Sequence, residues 1–135
     1  MNRLGKTFLI ASTAVAMFVN FGCSPEKIPA YGDHVAKNKK RTAETQIELL
    51  DNALTNYRLD VGSYPDSLQA LVENIADDEK WRGPYLQPAS IPKDPWNNDF
   101  VYVSPGKDDR EYEIVCCGPD GELGTKDDIT NYTNE

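Results

Sequence analysis

The residues best suited to chemistry lie in one loop near the C-terminus, residues 116–129, with the sequence "CCGPDGELGTKDDI". Its acidic residues are Asp120, Glu122, Asp127 and Asp128. A hard cation such as calcium binds about six to eight oxygen atoms from carboxylates, backbone carbonyls and water. Glycines between the acidic residues allow the two arms of the loop to face each other. The residues alone leave two interpretations open: a calcium site, and a solvated acidic turn.

Elsewhere the sequence offers no convincing catalytic set. His34 is the only histidine, and it lies in a segment that also contains prolines and a glycine. The sequence has no nucleophile-elbow motif and no glycine-rich phosphate-binding motif. We therefore expect that the protein is not an enzyme.

Cys116 and Cys117 are adjacent in a segment that reads as a strand, where neighbouring side chains point to opposite faces. Two neighbouring cysteines alone make an implausible metal site. In an oxidising compartment they could form a strained disulfide with each other, or pair between molecules. The interpretation that we favour is a pair of free thiols, one buried and one partly covered.

The length and the charge limit the remaining functions. With 135 residues the chain is long enough for one domain. Its 14 basic and 22 acidic residues give a formal net charge of −8. Nucleic acid is a poor partner for such a surface, because binding to phosphates needs clustered lysine and arginine. Small cations and basic protein surfaces are better candidates.

The N-terminus is typical of an export signal. Two basic residues precede the uncharged, mostly apolar run Phe8–Phe21. The run is short for a free-standing membrane helix, which needs about 20 apolar residues. Gly22 directly before Cys23 resembles a bacterial lipoprotein cleavage site, so we predict lipidation of Cys23. An uncleaved anchor and ordinary cleavage are the alternatives, and each of them places the domain outside the cytoplasm.

The chain is expected to consist of a signal or apolar segment, a spacer and one globular domain. These cover residues 1–22, 23–37 and 38–135. A helix is predicted from about Asn38 to Leu59 and should end before Gly62, because apolar residues recur at helical spacing. The residues of this apolar face are Ile47, Leu50, Leu54 and Tyr57.

A second, shorter helix is predicted in "YPDSLQALVENI". Asp66 would cap it, with Gln69 three residues later as in a capping box. Its apolar face would comprise Leu68, Leu71, Val72 and Ile75. Two strands follow, "DFVYVS" and "YEIVCC", and the segment between them is typical of a hairpin connection. A last short strand is predicted in "DITNYT", after the acidic loop.

Taken together, these segments resemble one family, the major pseudopilin of bacterial type II secretion, or G-type subunit. The matching segments, within about residues 40–129, are "ELLDNALTNYRLDVGSYPDSLQALVEN", "WRGPYL", "PKDPWNNDFVYVSPG" and "CCGPDGELGTKDDI". The resemblance implies an α+β, pilin-like fold, with a long N-terminal helix packed on a small antiparallel sheet and an ordered C-terminal calcium loop. Asn97 stands where the family often has glycine, and asparagine tolerates a positive φ.

The resemblance also implies the ligands of the calcium ion. The family's carboxylate ligands fall on Asp120, Asp127 and Asp128, and backbone oxygens are expected from Cys117 and Thr125. Because all three acidic positions are filled, the resemblance favours calcium over the solvated turn. Its implied role is structural: the ion holds the terminal loop against the sheet and supports assembly with other pseudopilin or secretion-system subunits.

The N-terminus departs from the family. Pseudopilins begin with a glycine cleavage site and a Phe-Thr-Leu-Ile-Glu motif, but Thr7 stands at the glycine position and Ser12 at the glutamate position. Two functions therefore stay open. One is a structural subunit of the secretion apparatus; the other is a non-polymerising, envelope-tethered lipoprotein whose pseudopilin domain acts as a calcium-binding interaction module. Both imply a membrane-anchored protein that faces the periplasm.

Overall fold

The computed structural model describes residues 31–132. The predicted signal segment, the lipidation site at Cys23 and the spacer up to residue 30 lie outside these residues. The order of elements is a long helix, a 3₁₀ turn and three strands. The helix packs on an antiparallel sheet, as the sequence predicted.

Helix α1 comprises Tyr31–Val61. It begins earlier than the predicted start near Asn38, so that predicted start is wrong and residues 31–37 of the predicted spacer are helical. Gly32 did not mark a break, and Asp33 in the first turn is favourable because the helix dipole attracts negative charge at that end. The end of the helix agrees with the prediction. Gly62 has a φ of 101°, and its N–H donates to Arg58 O at 2.8 Å.

The predicted apolar face of α1 forms the centre of the core. Its four residues are all at most 6% exposed, and Leu50 and Leu54 are fully buried. Buried residues from the 3₁₀ turn and the sheet complete the same core, among them Leu71, Phe100, Tyr112 and Ile114. The periodicity therefore located the packed side of the helix correctly, and removal of this apolar surface from water is the main stabilising contribution.

The predicted second helix is only a 3₁₀ turn, Leu68–Leu71. Its N-cap is Ser67 rather than Asp66, and it lacks a side-chain capping hydrogen bond. The indole N–H of Trp81 donates to Ala70 O at 2.8 Å, and the N–H of Tyr85 donates to Leu71 O at 2.7 Å. A continuing α-helix would need these two carbonyls for its own next turn.

The chain therefore leaves the helical path after Leu71. Ile75, which the prediction placed on the apolar face, is 59% exposed. Leu68 and Leu71 are buried as predicted, and Val72 packs against the core.

The three strands follow the predicted order. Strands β1 (Val101–Val103), β2 (Glu113–Cys116) and β3 (Ile129–Thr130) form one antiparallel sheet with β2 in the middle. Val101 pairs with Val115, and Cys116 pairs with Ile129. The hairpin and the short last strand are thus confirmed. The acidic loop, residues 117–128, connects β2 to β3 and is held at both ends by this pairing. Within residues 31–132, no helix is long and apolar enough to cross a membrane.

Candidate metal centre

The acidic loop is closed by hydrogen bonds that follow β3. The N–H of Ile114 donates to Asn131 Oδ1 at 3.0 Å, and the N–H of Asn131 donates back to Ile114 O at 3.2 Å. The Asn131 side chain also reaches Asp51 on α1 at 3.4 Å, and Tyr112 donates its hydroxyl hydrogen to the same carboxylate. These contacts tie the chain after the loop to both the sheet and the helix.

The two arms of the loop meet at Gly118. This residue has a φ of 64°, and a Cβ placed there would lie 2.6 Å from Asp127 Oδ2 and 2.7 Å from Asp127 O. Any side chain at this position would therefore collide with the opposite arm, and only glycine satisfies both the backbone angle and the close approach. The predicted closure of the loop by its glycines is seen here directly.

Each of the three predicted carboxylate ligands makes one local hydrogen bond. Asp120 Oδ1 accepts from the N–H of Glu122 at 3.0 Å. Asp128 Oδ2 accepts from the N–H of Gly124 at 2.7 Å. Asp127 Oδ1 accepts from the hydroxyl of Thr125 at 2.7 Å. The hydrogen bond from the Thr125 hydroxyl lowers the pKa of Asp127, which favours the charged form of this carboxylate.

Two carboxylate oxygens in the loop are shielded from solvent and have no hydrogen-bond partner. They are Asp127 Oδ2 and Asp128 Oδ1. Buried polar atoms in native proteins are nearly always paired, because an unpaired one loses its hydration without replacement. Two such anionic oxygens on adjacent residues are what a cation would satisfy, and hard oxygen donors of this kind suit calcium. The residues present therefore fit the ion that the sequence resemblance implied.

The loop is not a complete cage of side chains. Between residues 31 and 132, no three histidine, cysteine, aspartate or glutamate side chains are grouped as a metal site. Asp120 is exposed. Backbone oxygens, which calcium also uses, are needed to complete a coordination shell. Cys117 and Thr125, the predicted backbone ligands, lie in the same loop, and the side chain of Thr125 adds a contact that the sequence did not indicate.

The two neighbouring thiols are both free and both buried. Cys116 is fully buried and Cys117 is 5% exposed, so the expectation of a partly covered second thiol is wrong. Burial raises the pKa of Cys116 to about 12. Burial also raises the pKa of Cys117, and the nearby charge of Asp128 raises it further. Both sulfurs are therefore held as neutral thiols, which are poor nucleophiles and poor metal ligands.

The sequence did not indicate that a second segment supports the loop. Asp94, at 5% exposure, accepts a hydrogen bond from the Cys116 thiol through Oδ2 at 3.3 Å. The Asn98 side chain lies beside Gly118, with Nδ2 3.5 Å from the Gly118 carbonyl oxygen. The Asp-Pro pair of "DPWNN" is a turn signal. It could have located the turn, but it does not indicate that the turn contacts the acidic loop. Asn97 has a φ of 74°, as expected for a position that glycine often fills.

Comparison with known proteins connects this geometry to bacterial secretion. The family model for type II secretion system (T2SS), protein G matches residues 31–134. The type II secretion system core protein G of Escherichia coli K12 is 37% identical over 116 residues, which covers 78% of this chain and 75% of that protein. The core protein G of Vibrio cholerae serotype O1 is 39% identical over 105 residues, covering 71% of this chain and 70% of that protein.

A solved structure shares the fold. The crystal structure of the major pseudopilin from the type 2 secretion system of enterohaemorrhagic Escherichia coli matches with a TM-score of 0.64 and 30% sequence identity. The match covers 77% of this chain and 95% of that chain. The predicted pilin-like fold, with its long helix on a small antiparallel sheet, is thereby confirmed.

Proposed function

The chain belongs to the type II secretion system protein G family, and we propose that it is a structural subunit whose C-terminal loop is stabilised by a calcium ion. As a pseudopilin it is a component of the secretion apparatus, which interacts with other secretion subunits in the cell envelope on the periplasmic side. Its relatives are structural subunits and not enzymes. The calcium ion, its ligands and the mode of membrane attachment are our proposals.

The observation that carries the calcium proposal is the pair of unpartnered oxygens, Asp127 Oδ2 and Asp128 Oδ1. We propose that these two carboxylates and Asp120 hold the ion, together with the backbone oxygens of Cys117 and Thr125. When bound, the ion supplies positive charge that offsets repulsion between the carboxylates. The protein positions them through Gly118, which brings the arms together, and through the Thr125 hydroxyl, which orients Asp127.

The energetic consequence of binding is stabilisation of the folded loop. The unfolded chain does not hold these oxygens together, so calcium binds the folded state preferentially and raises its stability. The ends of the loop belong to β2 and β3, and binding should therefore also favour the pairing of Cys116 with Ile129. On this proposal the ion maintains the shape of the surface that the subunit offers to its partners.

Thermal melting in the presence of calcium or of a chelator tests the proposal. We expect the full chain, purified in detergent, to melt at a higher temperature in calcium chloride than in a calcium chelator. Magnesium at the same concentration should give a smaller shift, because it prefers a rigid six-oxygen shell at shorter distances. Equal melting temperatures in calcium and chelator would contradict the proposal.

The proposed function has two candidate forms, a polymerising subunit and a tethered lipoprotein, which differ in how the protein is attached to the membrane. Thr7 and Ser12 replace the glycine and glutamate that pseudopilins use for processing and for registering subunits, and Cys23 follows the apolar run. These replacements favour the second candidate, a non-polymerising lipoprotein tethered through Cys23. Mass spectrometry of the mature N-terminus distinguishes the two. An acylated Cys23 supports the tether, whereas a methylated residue near Phe8 supports the polymerising subunit.

A further inference from the structure

The turn formed by residues 94–98 is unusually well fixed for an irregular segment. Asp94 Oδ1 accepts hydrogen bonds from the N–H of Trp96 at 2.9 Å and from the N–H of Asn98 at 2.7 Å. The N–H of Asp94 in turn donates to Asn98 O at 3.0 Å. One oxygen of the Asp94 carboxylate is thus paired inside the turn, and Asn98 is held at a defined position.

This turn is attached to the start of the acidic loop. The second oxygen of the buried Asp94 carboxylate accepts the hydrogen bond from the Cys116 thiol, on the last residue of β2. Further along, the Asn98 amide lies against Gly118 and Gly121. Nδ2 is 3.5 Å from Gly118 O, and a Cβ built on Gly121 would lie 3.5 Å from Nδ2 and 3.6 Å from Oδ1. The first arm of the loop therefore rests on Asn98.

Gly118 connects this support to the candidate ligands. On one side its carbonyl faces the Asn98 amide, and on the other its α-carbon packs against the Asp127 carboxylate. A shift of Gly118 would displace the backbone that carries Cys117 and Asp120 relative to Asp127. Groups that orient metal ligands without touching the metal commonly change metal affinity by about 10- to 100-fold when they are removed.

We propose that Asn98 is a positioning residue that sets the calcium affinity of the acidic loop. It acts by holding Gly118 and Gly121 in place, and it does not itself bind the ion. The buried Asp94 carboxylate provides the rigid base from which Asn98 acts. This inference rests on the proposed function, because it concerns the affinity of the same site.

The experiment measures calcium affinity directly, by calorimetric titration of the full chain in detergent with calcium chloride. Asn98→Ala removes the support, and Asn98→Asp keeps its shape but cannot donate a hydrogen bond to Gly118 O. The matched control is Ser104→Ala, which removes a side-chain hydrogen bond to Glu111 O, outside the acidic loop and its supporting turn. Circular dichroism in chelator verifies that each variant is folded before calcium is added.

We expect both Asn98 variants to raise the dissociation constant about 10-fold, and Ser104→Ala to leave it unchanged. A native dissociation constant in Asn98→Ala would overturn the inference. Tighter binding in Asn98→Asp would also overturn it, because this result would make residue 98 a ligand. If the native chain itself binds no calcium, the proposed function fails and the inference fails with it. Failure of the inference alone is recognised by native-like binding in the variants.

Discussion

Replacing Asp127 by asparagine should lower the melting temperature much more in calcium than in a calcium chelator. Asparagine keeps the shape of the side chain and an oxygen that can accept from the Thr125 hydroxyl. It removes one negative charge from a loop where Asp127 Oδ2 and Asp128 Oδ1 lack partners. In chelator, we expect Asp127→Asn to melt close to the native temperature, because asparagine keeps the oxygen that accepts from Thr125. In calcium, it should melt well below the native protein, because a ligand charge is lost.

The size of the effect follows from linkage between binding and folding. At a free calcium concentration about 100-fold above the dissociation constant, binding stabilises the native protein by about 2.7 kcal/mol. For a domain of roughly 100 residues, 1 kcal/mol corresponds to about 4–8 °C in melting temperature. The native chain should therefore gain roughly 10–20 °C between chelator and saturating calcium. We expect Asp127→Asn to retain less than half of this gain.

Differential scanning calorimetry at fixed protein concentration measures both melting temperatures. Glu122→Gln is the matched control, since it removes one negative charge from the same loop at an exposed residue outside the proposed ligand set. It should keep the full calcium-dependent gain. The reasoning is refuted if Asp127→Asn keeps the native gain, or if Glu122→Gln loses as much of it as Asp127→Asn does.

Three further predictions concern the frame of the loop and the core. Gly118→Ala should lose most of the calcium-dependent gain in melting temperature, because its Cβ would clash with Asp127 at a φ of 64°; an unchanged gain would contradict the close approach of the two arms. Asn131→Ala should lower the free energy of unfolding in urea by about 1–3 kcal/mol, since it leaves the Ile114 N–H without its side-chain acceptor; a loss within error of zero would contradict that role. Burial raises the pKa of Tyr102 from 10.0 to about 12, so its contribution to stability is complete below pH 10 and is lost as the pH rises from 10 to 12. In Tyr102→Phe, the free energy of unfolding in urea should therefore fall less steeply over that range. An equally steep fall in the variant would show that other groups cause it.

Periodicity predicted the parts of the fold that apolar burial determines. The apolar face of α1 was found because helix geometry repeats every 3.6 residues, and a buried helix face must match that repeat. The strands were found because β-branched and aromatic residues cluster between turn signals. The second helix was predicted wrongly because the contacts that end it are not visible in its own sequence. The carbonyls of Ala70 and Leu71 accept hydrogen bonds from Trp81 and Tyr85, which lie in a later segment. These carbonyls are therefore not available to continue the helix.

The candidate site was predicted only in part. The acidic residues and glycines of the loop were visible in the sequence because composition and spacing indicate cation ligands. Their support by Asp94 and Asn98 was not visible, because the contacts join residues about 20 positions apart. The start of α1 was also missed. Gly32 lowers helix propensity, but one glycine does not exclude a helix whose remaining residues favour it.

The acidic loop is stabilised less by apolar burial than the rest of the domain. The helix and the first two strands are held by a core of buried side chains around Leu50, Leu54 and Ile114. Strand β3 has only two residues, and the twelve-residue loop before it buries little apolar surface of its own. Leu123, the large apolar residue of the loop, is 57% exposed. With so little hydrophobic stabilisation in the loop itself, we expect the proposed ion to add to the hydrogen bonds and strand pairing that hold the C-terminal segment against the sheet.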